Sequence, residues 1–575
     1  MKRTPFLPAM TMVAAAIALA ACDRAPSPPA GSADSAATAP AAADSDAAIN
    51  VADFARHVET LASDEFAGRA PGSIGEDKTT EYLEAEFKRL GLQPGNGDSY
   101  FQTVPMVETT ASDATVIKLD VDGEQRELEF ATDMVIGTRS GEPRVQIDDS
   151  ELVFVGYGVN APELGWNDYA GVDVKGKTVV MFVNDPGFHA QDAELFEGQR
   201  MTYYGRWTYK FEEAARQGAA AALIIHDDAG ASYGWDVVRN SWSGPQFELP
   251  AADDPQPRLP AEGWVTADAA RSLLDDLGHD LDQLYTAANK PGFEAIPLDA
   301  TLSLDLESTI TEKSSQNVLA LLPGSERPEE TIVYLAHWDH LGSHEGEGGD
   351  APAADSIYNG AIDNATGVAG ILEIAEAFAA QEPAPERSVM FLAVTLEESG
   401  LLGSKYFVAQ PTIDLDKTVA AINLDAMPVI GRSRDMTVIG LGNSELEDIL
   451  SEVATGQGRT LVAEATPQDG FYFRSDHFNF AKAGVPALYA KGGEDLVEGG
   501  VEGGRQAQMD YRDNRYHQAG DEFDPGWNME GVVQDLEALY AVGRELAGGD
   551  AWPNWYEGNA FRATRDEARA GNISE

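Results

Sequence analysis

Residues 331–341 read TIVYLAHWDHL. The apolar run from Thr331 to Ala336, with Ile332 and Val333 in it, predicts a buried strand. His337 and Asp339 stand two positions apart at its end. They share a side if strand geometry continues, because side chains alternate with period 2. Open α/β sheets carry their chemistry at the carboxyl ends of strands. The stretch is therefore expected to anchor a metal site whose remaining ligands come from elsewhere in the chain.

Outward from this stretch the pattern alternates. Strands are expected at 317–322, 331–336, 388–395 and 418–424, with a late strand around Leu488 and Tyr489. Helices are expected at about 365–380, 446–456 and 529–547. Such alternation indicates an α/β sandwich. Nearer the amino end, Tyr82, Leu83, Phe87 and Leu90 fall at helical spacing, with Gly91 placed to end the helix. Ahead of it, LASDEFAGRAPGS is a loop by its turn residues. The tail from Gly548 is expected to pack back only in its first part.

Between these halves the character changes. LVFVGYGV and KTVVMFVND are short β-rich runs, Arg206 to Gly218 is an amphipathic helix, and Ala219 to Asp227 is a buried strand. The stretch GYGVNAPELGWNDYAGVDVKGKTVV resembles a protease-associated domain, a small β-rich module inserted in extracellular peptidases. The resemblance implies either a wall that guides substrate or a spacer. His189, His226 and His279 in this segment, and His57 before it, are read as structural or surface residues.

At 575 residues the chain is expected to hold more than one domain, and 43% hydrophobic residues suffice for full-sized cores. Its 96 acidic residues against 40 basic ones, a net charge of -56, argue against a nucleic-acid partner, which requires basic patches. The single cysteine, Cys22, excludes an intramolecular disulfide and a multi-thiolate metal site. Lys2 and Arg3 followed by the apolar run Phe6 to Ala21 read as a secretory signal. Its ending, Leu19-Ala20-Ala21-Cys22, resembles a bacterial lipobox. That implies cleavage before Cys22, a lipid anchor there, and a periplasmic location at a membrane. Residues 23–47, rich in Ala, Pro, Ser and Asp, read as a disordered tether.

Five places line up at strand ends or in loops facing the same edge: His337, Asp363, the pair Glu397-Glu398, Asp425 and His517. Two imidazoles and three carboxylates suit a pair of Zn²⁺ ions or a similar borderline metal. Such pairs share a hydroxide nucleophile and use a bridging carboxylate. An adjacent acid pair, Glu397-Glu398, can supply one ligand and one general base. Asp339 is placed to accept the second N–H of His337 and fix its tautomer. In so acidic a chain no single one of these acids says much, and the ordered set carries the reading. His340 is expected to pack or bond locally, His344 to be a loop residue, and Asp476 and His477 to support the pocket wall.

With these residues the chain resembles the co-catalytic di-zinc aminopeptidase family that includes bacterial leucyl aminopeptidase and glutamate carboxypeptidase. LASDEFAGRAPGS, EYLEAEFKRLGLQP and SDHFNFAKAGVPAL fit as well. The resemblance implies two Zn²⁺ per chain. His337 and Asp425 complete one site, Glu398 and His517 the other, and Asp363 bridges them. Glu397 is the base that activates a metal-bridging hydroxide, and Tyr516 stabilises the oxyanion. The implied fold is a three-layer α/β sandwich with a mixed, mostly parallel central sheet, of zinc exopeptidase type, plus the inserted β-rich module.

The expected boundaries are a signal peptide at 1–21, a lipidated tether at 22–47, and a discontinuous peptidase domain at 48–140 and 301–550. The inserted domain covers 141–300 and the tail 551–575. The implied activity is hydrolysis at the amino terminus of peptide substrates. A carboxypeptidase or dipeptidase stays open, Arg474, Arg505, Arg512 and Arg515 being candidates to hold an acidic substrate. A glutaminyl cyclase, or an inactive binding protein, is disfavoured by the intact ligand set.

Overall fold

The computed structural model describes residues 49–573 except 191, 193, 255 and 344–355. The signal peptide, Cys22, the tether and His344 lie outside the described residues. The strands that carry the site are β1 (Phe101–Ala111), β2 (Ile296–Leu322), β3 (Arg327–His337), β4 (Arg387–Val394), β5 (Thr418–Asn423), β6 (Asp435–Val438), β7 (Thr460–Ala463) and β8 (Ala487–Gly492). The helices needed below are α1 (Val51–Leu61), α2 (Ile74–Arg89), α3 (Trp207–Arg216), α4 (Thr366–Ala379), α5 (Leu402–Ala409), α6 (His477–Lys482), α7 (Gly500–Asn514), α8 (Glu530–Gly548) and α9 (Arg562–Ile573).

β3 lies between β4 and β5, parallel to both, with His337 opposite Val394 and Leu335 opposite Asn423. β5 continues parallel to β8, and β4 pairs antiparallel with the end of β2. β6 runs antiparallel to β8 and parallel to β7. The sheet is thus mixed with a parallel centre. Its register brings the carboxyl ends of β3, β4 and β5 to one edge, so the residues just beyond them share one rim.

Alternation along β3 divides two cores. Ile332, Tyr334 and Ala336 join Val368, Ile371 and Leu372 of α4 and Leu536, Leu539 and Val542 of α8. Val333 and Leu335 face Phe407 of α5, Phe478 and Phe480 of α6, and Trp555 and Phe561 of the tail. Strands buried on both faces read as continuous apolar runs, which is why β3, β4 and β5 were legible. Full burial of each large aliphatic side chain contributes about 1.5–3 kcal/mol over exposure. α8 approaches closely because Gly543 has no side chain: a Cβ there would stand 1.8 Å from the Tyr334 hydroxyl. That hydroxyl donates to the Leu539 carbonyl at 2.8 Å. The result is an α/β sandwich of mixed sheet, as expected.

The β2 strand is much longer than the expected 317–322. Its end pairs with β4, its middle with β1, and its beginning with strands Val116–Val121 and Arg144–Phe154. That beginning belongs to a second core. There, strands Arg144–Phe154, Thr178–Phe182, Ala221–Ile225 and Ala261–Val265 run parallel. Phe154, Phe182 and Ile225 cover one face, and Val153, Met181 and Trp264 the other. Helices pack here too, α3 among them, with Tyr209 against one face and Phe211 against the other. This region is α/β rather than simply β-rich, and its strands begin ahead of residue 141. The tail also differs from expectation. It ends in α9, and Arg565 is buried and donates to the Thr418 carbonyl at 2.9 Å.

Candidate metal centre

His337 ends β3 with its ring buried. Its Nδ1 lies 3.1 Å from the Asp339 backbone carbonyl, so Nδ1 carries the proton and donates. Nε2 faces Asp363 Oδ1, 3.2 Å away, and Asp425 Oδ1, 3.7 Å away. The expected contact with the Asp339 side chain is not made, since that carboxylate stands 3.9 Å from Nδ1. Strand geometry stops at His337, so the period-2 argument fails one residue on, and the carbonyl turns inward instead. The Asp339 carboxylate accepts the backbone N–H groups of Glu397 at 3.1 Å and Glu398 at 3.4 Å. It fixes the turn that presents the acid pair. Burial pushes its carboxyl up to about 7, with His337 acting in opposition.

Asp363 sits in the loop before α4. Its N–H donates to Asp521 Oδ2 at 3.0 Å, and the Ile362 N–H donates to the same carboxylate. Its two oxygens face different imidazoles, Oδ1 toward His337 and Oδ2 toward His517 Nε2 at 3.3 Å. Asn364 ties this loop to the end of β5. Its Nδ2 donates to the Leu424 carbonyl at 3.0 Å, and its Oδ1 accepts the Ala426 N–H at 3.1 Å.

Asp425 follows β5. Ser475 Oγ donates to its Oδ2 at 2.6 Å and accepts from Asn423 Nδ2 at 2.7 Å. One Asp425 oxygen is thereby held, and the other is left toward His337. Glu398 is divided in the same way. His340 Nδ1 lies 2.6 Å from Oε1, and His517 Nε2 lies 3.2 Å from Oε2. His340 bonds across the edge to the acid pair, not locally as expected. Its buried Nε2 has no hydrogen-bond partner among the described residues. Tyr516 stacks on His517, ring centres 4.0 Å apart, and is half exposed.

Two ligand clusters result, His337–Asp363–Asp425 and His340–Asp363–Glu398, with the donor atoms of each within 4.8 Å of one another. His517 reaches the second cluster from the solvent side. Burial resists charging of the His337 imidazole, but Glu397, Asp363 and Asp425 prevail and hold its pKa well above the ordinary value. His517 is likewise pushed up to about 10 by Asp363 and Glu398 against its burial. Burial, then Glu398, Asp476 and Asp425, hold the Glu397 carboxyl well above the usual range, with His337 opposing. So many acids around imidazoles form a donor set that matches Zn²⁺, which takes imidazole nitrogen and carboxylate oxygen. The orphaned His340 Nε2 adds a further nitrogen without a partner, so the residues fit such ions.

Several supporting residues escaped the sequence reading. Arg69, in the loop before α2, is buried. Its Nε donates to the Trp338 carbonyl at 2.9 Å. Nη1 donates to Leu61 and Asn359 carbonyls, and Nη2 to Gly360. It clamps the end of α1, the turn after His337 and the Asp363 loop together. Asp521, Asn364 and Ser475 are the others. All act on partners distant in the chain. Asp476 accepts from Ser404 Oγ at 2.5 Å, and the His477 ring packs against Tyr472 and Tyr489. Both are buried behind the ligands. A cavity of about 220 Å³ lies apart from the clusters, lined by Tyr203, Tyr204, Tyr472 and Phe561 among others.

Among known proteins, the chain is 29% identical over 143 residues to aminopeptidase NAALADL1 of Mus musculus, covering 24% of this chain and 17% of that protein. It is 36% identical over 132 residues to a probable zinc metalloprotease of Pyrenophora teres f. teres, covering 23% of this chain and 26% of that protein. The chain thus matches a quarter or less of the length of these curated relatives, to within a percentage point or so. Among solved structures, the aminopeptidase from Aneurinibacillus sp. strain AM-1 aligns over 88% of this chain and 95% of its own, at 18% identity and a TM-score of 0.44. Residues 317–540, which carry both ligand clusters together with His517, match the family model described as Peptidase family M28.

Proposed function

We propose that the chain is a di-zinc metallopeptidase that removes residues from the amino terminus of peptides. The observation that carries this reading is Asp363, whose Oδ1 and Oδ2 face His337 at 3.2 Å and His517 at 3.3 Å. His337 and Asp425 would hold one ion, Glu398 and His517 the other, and Asp363 both. In this reading His340 donates to Glu398 Oε1 and leaves Oε2 free to bind. Bound zinc supplies Lewis acidity and lowers the pKa of water at the site.

Glu397, off the ligand set, takes the proton from the attacking water and delivers it to the leaving amine. Asp339 holds Glu397 in place through its backbone N–H. Tyr516, on the open side of His517, is the donor offered to the developing oxyanion. The region of the second core is proposed to be an inserted protease-associated domain beside the site. We further propose export and lipid attachment at Cys22, for which labelling with a radioactive fatty acid and its loss in Cys22→Ser is the test.

Peptides with free and acetylated amino termini, followed by mass spectrometry, test the activity. Stepwise loss of residues from free amino termini, and resistance of acetylated peptides, are expected. Loss of residues from the carboxyl end of acetylated peptides would replace the reading with a carboxypeptidase.

A further inference from the structure

We propose that the cavity of about 220 Å³ set apart from the ligand clusters is a binding site for a small organic cation, an ammonium or guanidinium group on a short alkyl chain. None of the proposed metal ligands lines it, and the site does not depend on the peptidase reading. Three parts of the chain build its walls, and hydrogen bonds tie them together. The Met201 N–H donates to the Pro467 carbonyl at 3.3 Å, and the Tyr556 N–H donates to the Asn443 carbonyl at 2.9 Å. Asn559 Nδ2 donates to Asn443 Oδ1 at 2.8 Å. Gly440, at a φ of +77°, makes room for Tyr472, because a Cβ there would collide with that ring.

The walls are aromatic and acidic. Phe196, Tyr204, Tyr472 and Phe561 line the cavity and are buried. Ring faces attract cations. Among the described residues no Lys or Arg lies over any of these four rings, although such pairs occur elsewhere in the chain. Glu163, Glu194, Glu197 and Glu464 also line it, against the single cation Arg200. Arg200 is already engaged, with Glu197 at 3.2 Å and the Leu441 carbonyl at 3.0 Å. Glu464 is half-buried and accepts the Gly440 N–H at 3.1 Å, and Glu163 accepts the Tyr204 hydroxyl. These neutral donors leave both carboxylate charges uncompensated. The buried Tyr472 hydroxyl has no hydrogen-bond partner among the described residues, and an ammonium or guanidinium N–H supplies the donor it lacks. Walls of one charge sign and low dielectric focus their field on the space between them. The volume is smaller than a drug-sized pocket and suits one alkyl chain with a charged head. The cation comes from a free alkylamine or from a Lys or Arg side chain of a peptide.

The test is calorimetric titration of the zinc-loaded full chain with n-butylammonium, n-butylguanidinium and, as the neutral control, n-butanol. Saturable binding of the cations is expected, with butanol weaker by about tenfold or more, the scale of one desolvated cation–π contact. Glu464→Gln and Glu163→Gln keep an oxygen for their present N–H and hydroxyl donors. Each should weaken the cations by about tenfold, as expected for loss of a charge-assisted hydrogen bond, and leave butanol and the melting temperature without ligand unchanged. Acetyl-lysine methylamide and acetyl-norleucine methylamide separate the sources. Tighter binding of the lysine compound than of butylammonium assigns a peptide side chain, and the reverse order assigns a free amine. Butanol binding as tightly as butylammonium, or no saturable binding of either cation, would overturn the proposal. Cation binding equal in wild type and both variants would place the cation elsewhere and overturn it too.

Discussion

The carboxylate of Asp521 accepts the backbone N–H of Asp363 at 3.0 Å. Asp521 is buried and also receives the Ile362 N–H. A side chain from the far end of the chain therefore sets the angle at which Asp363 offers its oxygens. Asp521→Ala leaves two buried N–H groups unpaired and should cost about 1–3 kcal/mol for each group so exposed to desolvation. Zinc affinity should fall about 10–100-fold, as for other groups that orient ligands. Metal titration by competition with a chelating dye measures this, and unchanged affinity would remove Asp521 from the account.

Ser475 makes the same case for Asp425. Ser475→Ala frees Asp425 Oδ2 and orphans Asn423 Nδ2, both bonded to its hydroxyl. The expected loss is about 1–3 kcal/mol in stability, with weaker metal retention on dialysis against a chelator. Retention equal to wild type would contradict the role.

Arg69→Ala removes donors to the carbonyls of Leu61, Trp338, Asn359 and Gly360 at once. Hydrogen bonds from a charged donor contribute about 1.5–3 kcal/mol each, without simple additivity. A loss of about 3–5 kcal/mol is expected by denaturant unfolding, with lower activity before unfolding begins. A loss below about 1 kcal/mol, the range of ordinary surface substitutions, would show that the loops hold without the clamp.

His57 gives a pH test away from the metals. It is buried, with Arg56 Nη2 3.1 Å from Nε2 and the Tyr82 hydroxyl 2.6 Å from Nδ1. Arginine only donates, so Nε2 accepts and Nδ1 carries the proton. Burial, and then Arg56, lower its pKa to about 3 from 6.5. Glu373, 3.9 Å away, has its own carboxyl pushed up to about 7 by burial and offers little compensating charge in acid. Below pH 6.5 the unfolded chain takes the proton and the folded one does not, so stability falls as pH falls from about 6.5 toward 3. His57→Gln should flatten that part of the profile measured by thermal unfolding. Parallel profiles for the two proteins would contradict it.

The central sheet was legible because strands buried on both faces need unbroken apolar runs, as in VMFLAV and TVAAIN. The ligand types were legible because metal chemistry restricts them. β2 was not, since half of it alternates with polar residues on a partly exposed face. Helix α7, with Gly500, Gly503 and Gly504 in it, has little intrinsic preference for helix. The dual use of Glu398, with His340 on one oxygen and His517 on the other, depends on loop packing over more than a hundred residues. Arg69, Asp521, Asn364 and Ser475 act through such distant partners, and no local pattern marks them.

In the proposed reading Asp363 joins two metal ions. Anomalous diffraction at the zinc edge from crystals of the zinc-loaded protein tests it most directly. Two peaks roughly 3.5–4 Å apart, one against each Asp363 oxygen, are the predicted result. A single peak, or two that do not share Asp363, would contradict the account.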